Sequence, residues 1–413
     1  MITNTYDIII IGAGPAGCST AFHLAAKGLK VLIIEKEIFP RRKICGGGIS
    51  EQAVSALKRL PGQVFQKFKD QFSHHAIHGV RFVSPANQEI IIPQSRSDGS
   101  VGEKGYVCLR SDFDHLLLTS LIEAGLADII TGQAVKTIIR EKAGFQVITN
   151  EKVFKCRFIV GADGAHSIVR NSLMRKQKIR KFQGIGIAAF FKFNQAQNQN
   201  QRFLEFYFIR KYLPGYFWIF PVGDDYFTAG LYLPEKKVRK LKLNLKQEFE
   251  FILTSYRHLA SRFSMAEMTE PPRAAALPWG RILKPVSGNS FLLVGDAAGL
   301  IEPFTGEGIG AALISGEIAA LCIARCFRQK SFSRVAMKRY DNHLYKVLGP
   351  AMISGSRLSM IFKYPAMVNY IFKMARKSEK IKNIDIQTIR EKGFPQKFAN
   401  PLMLFQSFYK LVR

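Results

Sequence analysis

The sequence predicts an α/β fold, an α+β composite in which a Rossmann-like dinucleotide-binding unit is joined to an antiparallel β-sheet and a helical C-terminal region. Three observations predict it. A β-branched run, Tyr6-Asp7-Ile8-Ile9-Ile10-Ile11, enters the glycine sequence Gly12-Ala13-Gly14-Pro15-Ala16-Gly17. Residues from about 181 to 233 are rich in aromatic and β-branched side chains interrupted by turn residues. Residues 331–413 read as helical and carry sixteen Lys and Arg against four Asp and Glu.

The first unit reads as strand, tight turn, helix, strand. Residues 15–27 have helical character, with Gly28 placed to end the helix. Val31-Leu32-Ile33-Ile34 is the second strand, ended by Glu35. Pyrophosphate needs bare backbone and the positive end of a helix dipole. Gly12 permits the turn, Gly14 allows close approach, and Gly17 lets helix pack on strand. Glu35 follows Gly17 by eighteen residues, so its carboxylate can accept ribose hydroxyls and disfavours a 2′-phosphate. This constellation implies a dinucleotide and leaves FAD and NAD undecided.

Further along, two alternating apolar runs within residues 77–93 predict a hairpin around Pro85-Ala86-Asn87. A helix is expected from Ser111-Asp112, a Ser or Asp cap ahead of Phe113, Leu116, Leu117 and Leu121. Short strands over 134–160 end in Phe158-Ile159-Val160-Gly161 and enter the turn Gly161-Ala162-Asp163-Gly164. A buried strand, Phe291-Leu292-Leu293-Val294, enters Gly295-Asp296-Ala297-Ala298-Gly299, then Thr305-Gly306-Glu307-Gly308-Ile309 and a helix from about 306 to 327. Asp296 can bind a ribityl hydroxyl. The helix start near Gly306 can aim N–H groups at the flavin edge where reduction places negative charge. These late motifs decide for FAD.

The net charge of +29, from 60 Lys and Arg against 31 Asp and Glu, implies a polyanionic partner. No zinc spacing, RNP-like signature or helix-turn-helix pattern supports nucleic acid, so an anionic membrane surface is the expected partner. Six cysteines without a C-x-x-C pair fit a reducing cytoplasm. No signal peptide and no run of 18 uninterrupted apolar residues is read, so the expectation is a cytoplasmic protein, peripheral on the cytoplasmic face of a membrane. Residues 347–374 mix apolar patches with Arg357, Lys363 and Lys373, and Phe394, Phe398, Leu402, Leu404, Phe405 and Phe408 continue that mix among Lys392, Lys397 and Lys410. This suits an interfacial helix, or a helical cap with a basic exterior. Lys236, Lys237, Arg239, Lys240 and Lys242 read as a solvated helix face. His74, His75, His78, His115 and His166 show no metal-ligand pattern.

Two further segments carry a resemblance. Phe39-Pro40-Arg41-Arg42-Lys43-Ile44-Cys45-Gly46-Gly47 and Tyr216-Phe217-Trp218-Ile219-Phe220-Pro221, with Gly230 beyond, resemble the geranylgeranyl reductase family within the flavoproteins of p-hydroxybenzoate hydroxylase fold. The resemblance covers most of residues 6–330. It implies FAD contacts at Ala16, Glu35, Cys45, Gly46, Arg110, Ala134, Asp296, Gly308 and Ile309, with Asp163 and Gly164 near the ribityl and pyrophosphate region. Pro15, Lys36, Arg41, Gly47 and Gly306 complete the expected cofactor set. The family reduces carbon–carbon double bonds in prenyl chains, which implies an apolar tunnel beneath the flavin. Tyr216, Trp218, Phe220 and Pro221 are then the substrate candidates, although aromatics at period two also make an ordinary core. Cys45 is the catalytic candidate, through redox or proton delivery. Its bland reading is a small residue that lets the glycine loop fold. Arg110 is either a phosphate or ribityl contact or a solvated arginine.

At 413 residues the chain exceeds one ordinary domain. The expected division is an FAD-binding domain over 1–75, 105–180 and 285–330, a substrate domain over 76–104 and 181–284, and the basic region 331–413. No second glycine fingerprint is present, so the electron donor is NAD(P)H docking transiently, a ferredoxin or a quinol. A flavin monooxygenase and a non-catalytic prenyl-binding escort stay open as alternatives. Halogenation is disfavoured, since Tyr216 and Phe220 stand where its W-x-W-x-I-P motif has Trp and Ile.

Overall fold

The computed structural model describes residues 4–25, 27–72, 77–93, 105–174, 183–193, 203–223, 225–279 and 285–377. Five parallel strands lie in the order Phe291–Leu293, Val153–Gly161, Asn4–Ile11, Val31–Ile34 and Asp128–Ile130. Strands covered on both faces must be apolar on both, and Ile8, Ile9 and Ile10 are wholly buried. A hairpin of Val135–Glu141 and Gly144–Thr149 adds to the start of Val153–Gly161. Because the parallel strands run the same way, Ile11, Ile34, Gly161 and Leu293 all end on one edge of the sheet. The loops that follow them meet there. Three motifs far apart in sequence converge for this reason.

Helix Pro15–Ala25 packs tightly on helix Ile309–Gln329. A Cβ at Gly316 would stand 2.6 Å from the Ala16 carbonyl oxygen, and the Ser19 hydroxyl donates to the Leu313 carbonyl at 2.7 Å. By length and composition Ile309–Gln329 could cross a membrane, but most of its apolar window is buried in this core. It starts later than the sequence suggests. Gly306 takes φ of +70°, and the Glu302 carboxylate accepts the N–H of Phe304 at 3.0 Å and of Thr305 at 2.5 Å. These bonds hold 302–308 as a loop. The helix expected from Ser111-Asp112 begins instead at Arg110, with Leu109 in the cap position and no side-chain cap. Ser111 and Asp112 therefore lie inside the first turn, where the Ser111 hydroxyl donates to Asp112 at 2.8 Å.

The second sheet runs Ala266–Met268, Gln183–Phe193, Tyr226–Pro234, Tyr216–Pro221, Phe203–Tyr207, Gly79–Val83 and Glu89–Pro93, with Arg273–Pro278 also paired to Gln183–Phe193. It is antiparallel except for the parallel pairing of Gly79–Val83 with Phe203–Tyr207. Strand Tyr216–Pro221 is buried on both faces. Phe217 and Ile219 pack under helices Leu245–Ser255 and Arg257–Phe263. Tyr216, Trp218 and Phe220 face the opposite way, into a cluster with Phe208, Phe362 and Phe372.

The basic C-terminal region supplies helices Arg334–Ile361, which contains Pro350, and Pro365–Lys377. Asn369 ties the latter to the hairpin by accepting the Ala86 N–H at 3.0 Å. Helix Glu235–Leu241, carrying the cluster from Lys236 to Lys240, buries no side chain. Phe394, Phe398, Leu402, Leu404, Phe405, Phe408, Lys392, Lys397 and Lys410 lie outside the described residues, as do His74 and His75.

Candidate active site

The glycine loop occupies the C-terminal end of Asn4–Ile11. Gly12 has φ of +103°, and a Cβ there would stand 2.4 Å from the Ala162 carbonyl oxygen. Only glycine lets this turn nest against the Ala162–Gly164 turn. At Gly14 the nearest atom to an added Cβ is an Arg41 guanidinium nitrogen, 3.7 Å away. Bare backbone, a helix N-terminus at Pro15 and an arginine therefore face one small space, which is what a pyrophosphate requires. Arg41 is fixed by Asp114 at 2.9 Å. Asp114 also receives both arms of Arg110, at 2.8 and 2.7 Å. Arg110 is buried, and its shared carboxylate pushes its guanidinium further up in pKa against the opposing effect of burial. One buried carboxylate thus holds two arginines, and Arg41 is the one whose guanidinium faces the glycines. The structure thus gives Arg41 the position nearest the glycines and makes Arg110 part of its support.

Glu35 closes the other side. Its Oε2 accepts the Ala13 N–H at 2.8 Å and its Oε1 the Glu37 N–H at 3.0 Å. The Gln133 N–H donates to the Glu35 carbonyl at 3.0 Å, which brings Ala134 beside the strand tip. Lys36 stands apart, exposed and 3.6 Å from Glu37.

Helix Ile168–Leu173 is capped by Ser167, and Asp163 reinforces the helix start, its Oδ2 accepting Ile168 N–H at 2.6 Å and Val169 N–H at 3.2 Å. Its Oδ1 is buried with no partner among the described residues, and burial raises its pKa above the ordinary carboxylate range. Gly164 continues the same turn. Asp296 pairs with Lys43 at 3.2 Å, and a Cβ on Gly308 would lie 3.5 Å from its Oδ1. Asp296 therefore sits at the N-terminus of Ile309–Gln329, with Gly308 at the cap position and Ile309 buried as the first helical residue. That end of the helix offers N–H groups and a positive pole to a ring edge.

The Cys45-Gly46-Gly47 turn lies between this helix start and the second sheet. It is stitched to Cys108, whose N–H donates to the Gly47 carbonyl at 3.0 Å. A Cβ on Gly46 would meet the Phe220 ring at 2.8 Å and the Trp218 indole nitrogen at 3.3 Å. Tyr216 donates its hydroxyl to the Thr305 carbonyl, and Tyr232 donates to the Pro303 carbonyl at 2.9 Å. Burial raises the pKa of both phenols well above their ordinary range. The aromatic strand is thus bolted to the 302–308 loop and pressed against the cysteine turn. Cys45 is a free, half-buried thiol. Trp218 is buried, yet its indole N–H has no partner among the described residues. Pro221 ends the strand, farther along it than this contact. This wall is packed edge to face. Phe206 lies 5.1 Å from Tyr216 and 5.2 Å from Phe220, centroid to centroid.

Several participants were not singled out in the sequence. Asp114 stands four residues after Arg110 on one helix face, a spacing that signals an ion pair. Lys43 stands in the 39–47 segment without a role of its own in the sequence, and Glu302, Phe206 and Phe208 carry no local signal, because their roles arise from contacts across the fold. Among the described residues no group of three His, Cys, Asp or Glu could hold a metal ion.

A glycine cradle under an arginine, an acid at the second strand and a helix pole at the far end fit both halves of FAD. Fold and site define an FAD-dependent oxidoreductase, with FAD as its cofactor. The chain belongs to the FAD binding domain family, whose pattern matches residues 5–323. It is 27% identical over 363 residues to a digeranylgeranylglycerophospholipid reductase of Methanosphaera stadtmanae, covering 82% of this chain and 84% of that one. It is 25% identical over 399 residues to a menaquinone reductase of Mycobacterium tuberculosis, covering 94% and 91%. In structure it is similar to a geranylgeranyl bacteriochlorophyll reductase-like protein of Thermoplasma acidophilum, with a TM-score of 0.77, 20% identity and coverage of 96% and 99%.

Proposed function

We propose that this protein reduces carbon–carbon double bonds in the prenyl chain of a lipid or lipid precursor. The observation that carries the reading is the wall of Tyr216, Trp218 and Phe220 pressed against the Cys45 turn, beside the helix pole at Gly308. The names of the reductases to which the chain is similar support it. When bound, reduced FAD supplies the hydride equivalent for one alkene carbon. An isolated alkene accepts hydride poorly, so the residues must position it and exclude water. Tyr216 and Phe220 do this as a rigid apolar surface, held by the Thr305 carbonyl and by Phe206. Trp218 offers its spare N–H to an oxygen of the substrate or cofactor. Cys45 Sγ holds the proton for the second carbon. The charge of +29 supports a peripheral site of action on an anionic cytoplasmic membrane face.

The test is a single-turnover reaction of chemically reduced holoenzyme with a geranylgeranylated lipid in detergent, read by mass spectrometry. Added hydrogen pairs are expected. Cys45→Ala should slow product formation about a hundredfold, the scale of a lost general acid, although its flavin is reduced by the chemical reductant as fully as the parent's. An added oxygen atom, formed only in air, would replace this reading with hydroxylation.

A further inference from the structure

The corner between helices Arg334–Ile361 and Pro365–Lys377 has one outer surface and one inner surface of opposite character. Inside, Phe362 lies 4.9 Å from Phe208 and 4.7 Å from Phe304, centroid to centroid. Phe372 lies 6.1 Å from Phe208, and Phe208 lies 6.3 Å from Tyr216. The corner is therefore one aromatic ring removed from the substrate wall. Outside, Met360 is 51% exposed and Tyr364 is 64% exposed. The two lie four residues apart, and an apolar pair rimmed by cations is the pattern of an interaction surface rather than of a lone exposed side chain.

The charge around them is one-sided. From residue 342 to 377 the sequence has six Lys and Arg (Lys346, Arg357, Lys363, Lys373, Arg376 and Lys377) and no Asp or Glu. Arg357, Lys363, Lys373, Arg376 and Lys377 are all exposed. The remaining acid of the longer helix, Asp341, is buried and engaged by the Val286 N–H at 2.9 Å and the Ser287 hydroxyl at 2.8 Å. Residues 378–413 add seven Lys and Arg against three Asp and Glu, so the rest of the chain does not supply the missing negative charge.

We propose that this corner is the surface by which the protein docks on an anionic lipid bilayer, with Met360 and Tyr364 entering the headgroup region and the surrounding cations on lipid phosphates. This rests on the prenyl-reductase reading and deepens it. Docking here puts the hydrocarbon of the bilayer against the helices that cover Phe208 and Tyr216, so a prenyl chain leaving the membrane meets the aromatic wall without crossing water. Each basic group near such a surface contributes a modest, salt-sensitive increment, and the apolar pair adds a salt-insensitive one.

Flotation of the full-length holoenzyme with vesicles tests this. Phosphatidylcholine vesicles containing phosphatidylglycerol should bind, and pure phosphatidylcholine vesicles should not. Lys363→Glu with Lys373→Glu should weaken binding roughly tenfold or more, and Met360→Ser with Tyr364→Ser should weaken it even at high salt. Lys236→Glu with Lys240→Glu, on helix Glu235–Leu241, removes the same charge from another basic helix that buries no side chain; it is the control and should bind as the parent does. Equal loss in the control, or parental binding by both corner variants, overturns the proposal. Turnover of the detergent-dissolved lipid separates the two readings. Corner variants that turn over normally but fail on vesicles support the docking surface, whereas added hydrogen with no vesicle binding leaves the reductase standing and removes the corner.

Discussion

Two side chains near the aromatic wall hold polar atoms under unusual conditions. Trp218 keeps a buried N–H without a partner among the described residues, a state that costs about 1–3 kcal/mol unless something accepts it. Trp218→Phe removes the donor while keeping an aromatic ring. Its apoprotein should be as stable as the parent in urea or more so, while KM for the substrate or the dissociation constant for FAD rises several-fold. Unchanged values for both would show that no ligand oxygen meets that N–H. Glu302 is a buried carboxyl whose pKa burial raises, against the donors from Phe304 and Thr305. A folded-state pKa above the unfolded one favours the protonated form in the fold. The associated stability is complete below the ordinary value of 4.5 and is lost as pH rises through the raised one. Glu302→Gln cannot titrate. Unfolding free energy, variant minus parent, should therefore climb as pH rises above the ordinary value of 4.5. Comparing the two proteins cancels Asp163 and Asp341, which are shifted the same way by burial.

At the scale of elements, the contact between helices Pro15–Ala25 and Ile309–Gln329 sets how the cofactor ends are spaced. Gly316→Val would force side-chain atoms toward the Ala16 carbonyl and Ser19. Overpacking of this kind costs about 1–3 kcal/mol. The variant should melt earlier and release FAD more readily, because the displaced helix carries the glycine loop. Tighter melting with weaker FAD binding, or the reverse, would separate the two roles. These elements were legible because each announces itself locally: Ile8 to Ile11 as a strand, Gly12 to Gly17 as its turn, and Glu35 as the tip of the next strand. Strand Tyr216–Pro221 was legible for the same reason. The start of Ile309–Gln329 was misread by three residues, since Glu302 unwinds that turn through bonds no local pattern shows. The start of Arg110–Glu123 differs by a residue because the Leu109 carbonyl accepts the Asp112 and Phe113 N–H groups and the turn opens with no side-chain cap to mark it. The partnership of Arg41 with Asp114 joins residues 73 apart in sequence, so only the folded sheet edge reveals it.

For the molecule as a whole, cofactor and fold are linked by mass action. The glycine loop, the Asp296 loop and the cysteine turn belong to segments spread over the first three quarters of the chain. FAD binds the folded form alone, so its removal should lower the melting temperature. Restoring it at a hundredfold excess over its dissociation constant should recover about 2.7 kcal/mol. An equal melting temperature with and without FAD would show that the loops are held by the protein alone. The strongly basic exterior acts at the same scale, governing which surfaces the molecule meets rather than how it folds.

The close seam at Gly316 has a further consequence. It locks the glycine loop and the start of Ile309–Gln329 at a set separation, one at each end of the cofactor. FAD is then gripped as a chelate is, and once one half is seated the other meets its loop at high effective concentration. An adenine nucleotide or a riboflavin fragment alone forfeits that advantage. Loosening the seam would weaken whole FAD steeply while leaving each fragment nearly as poor a ligand as before.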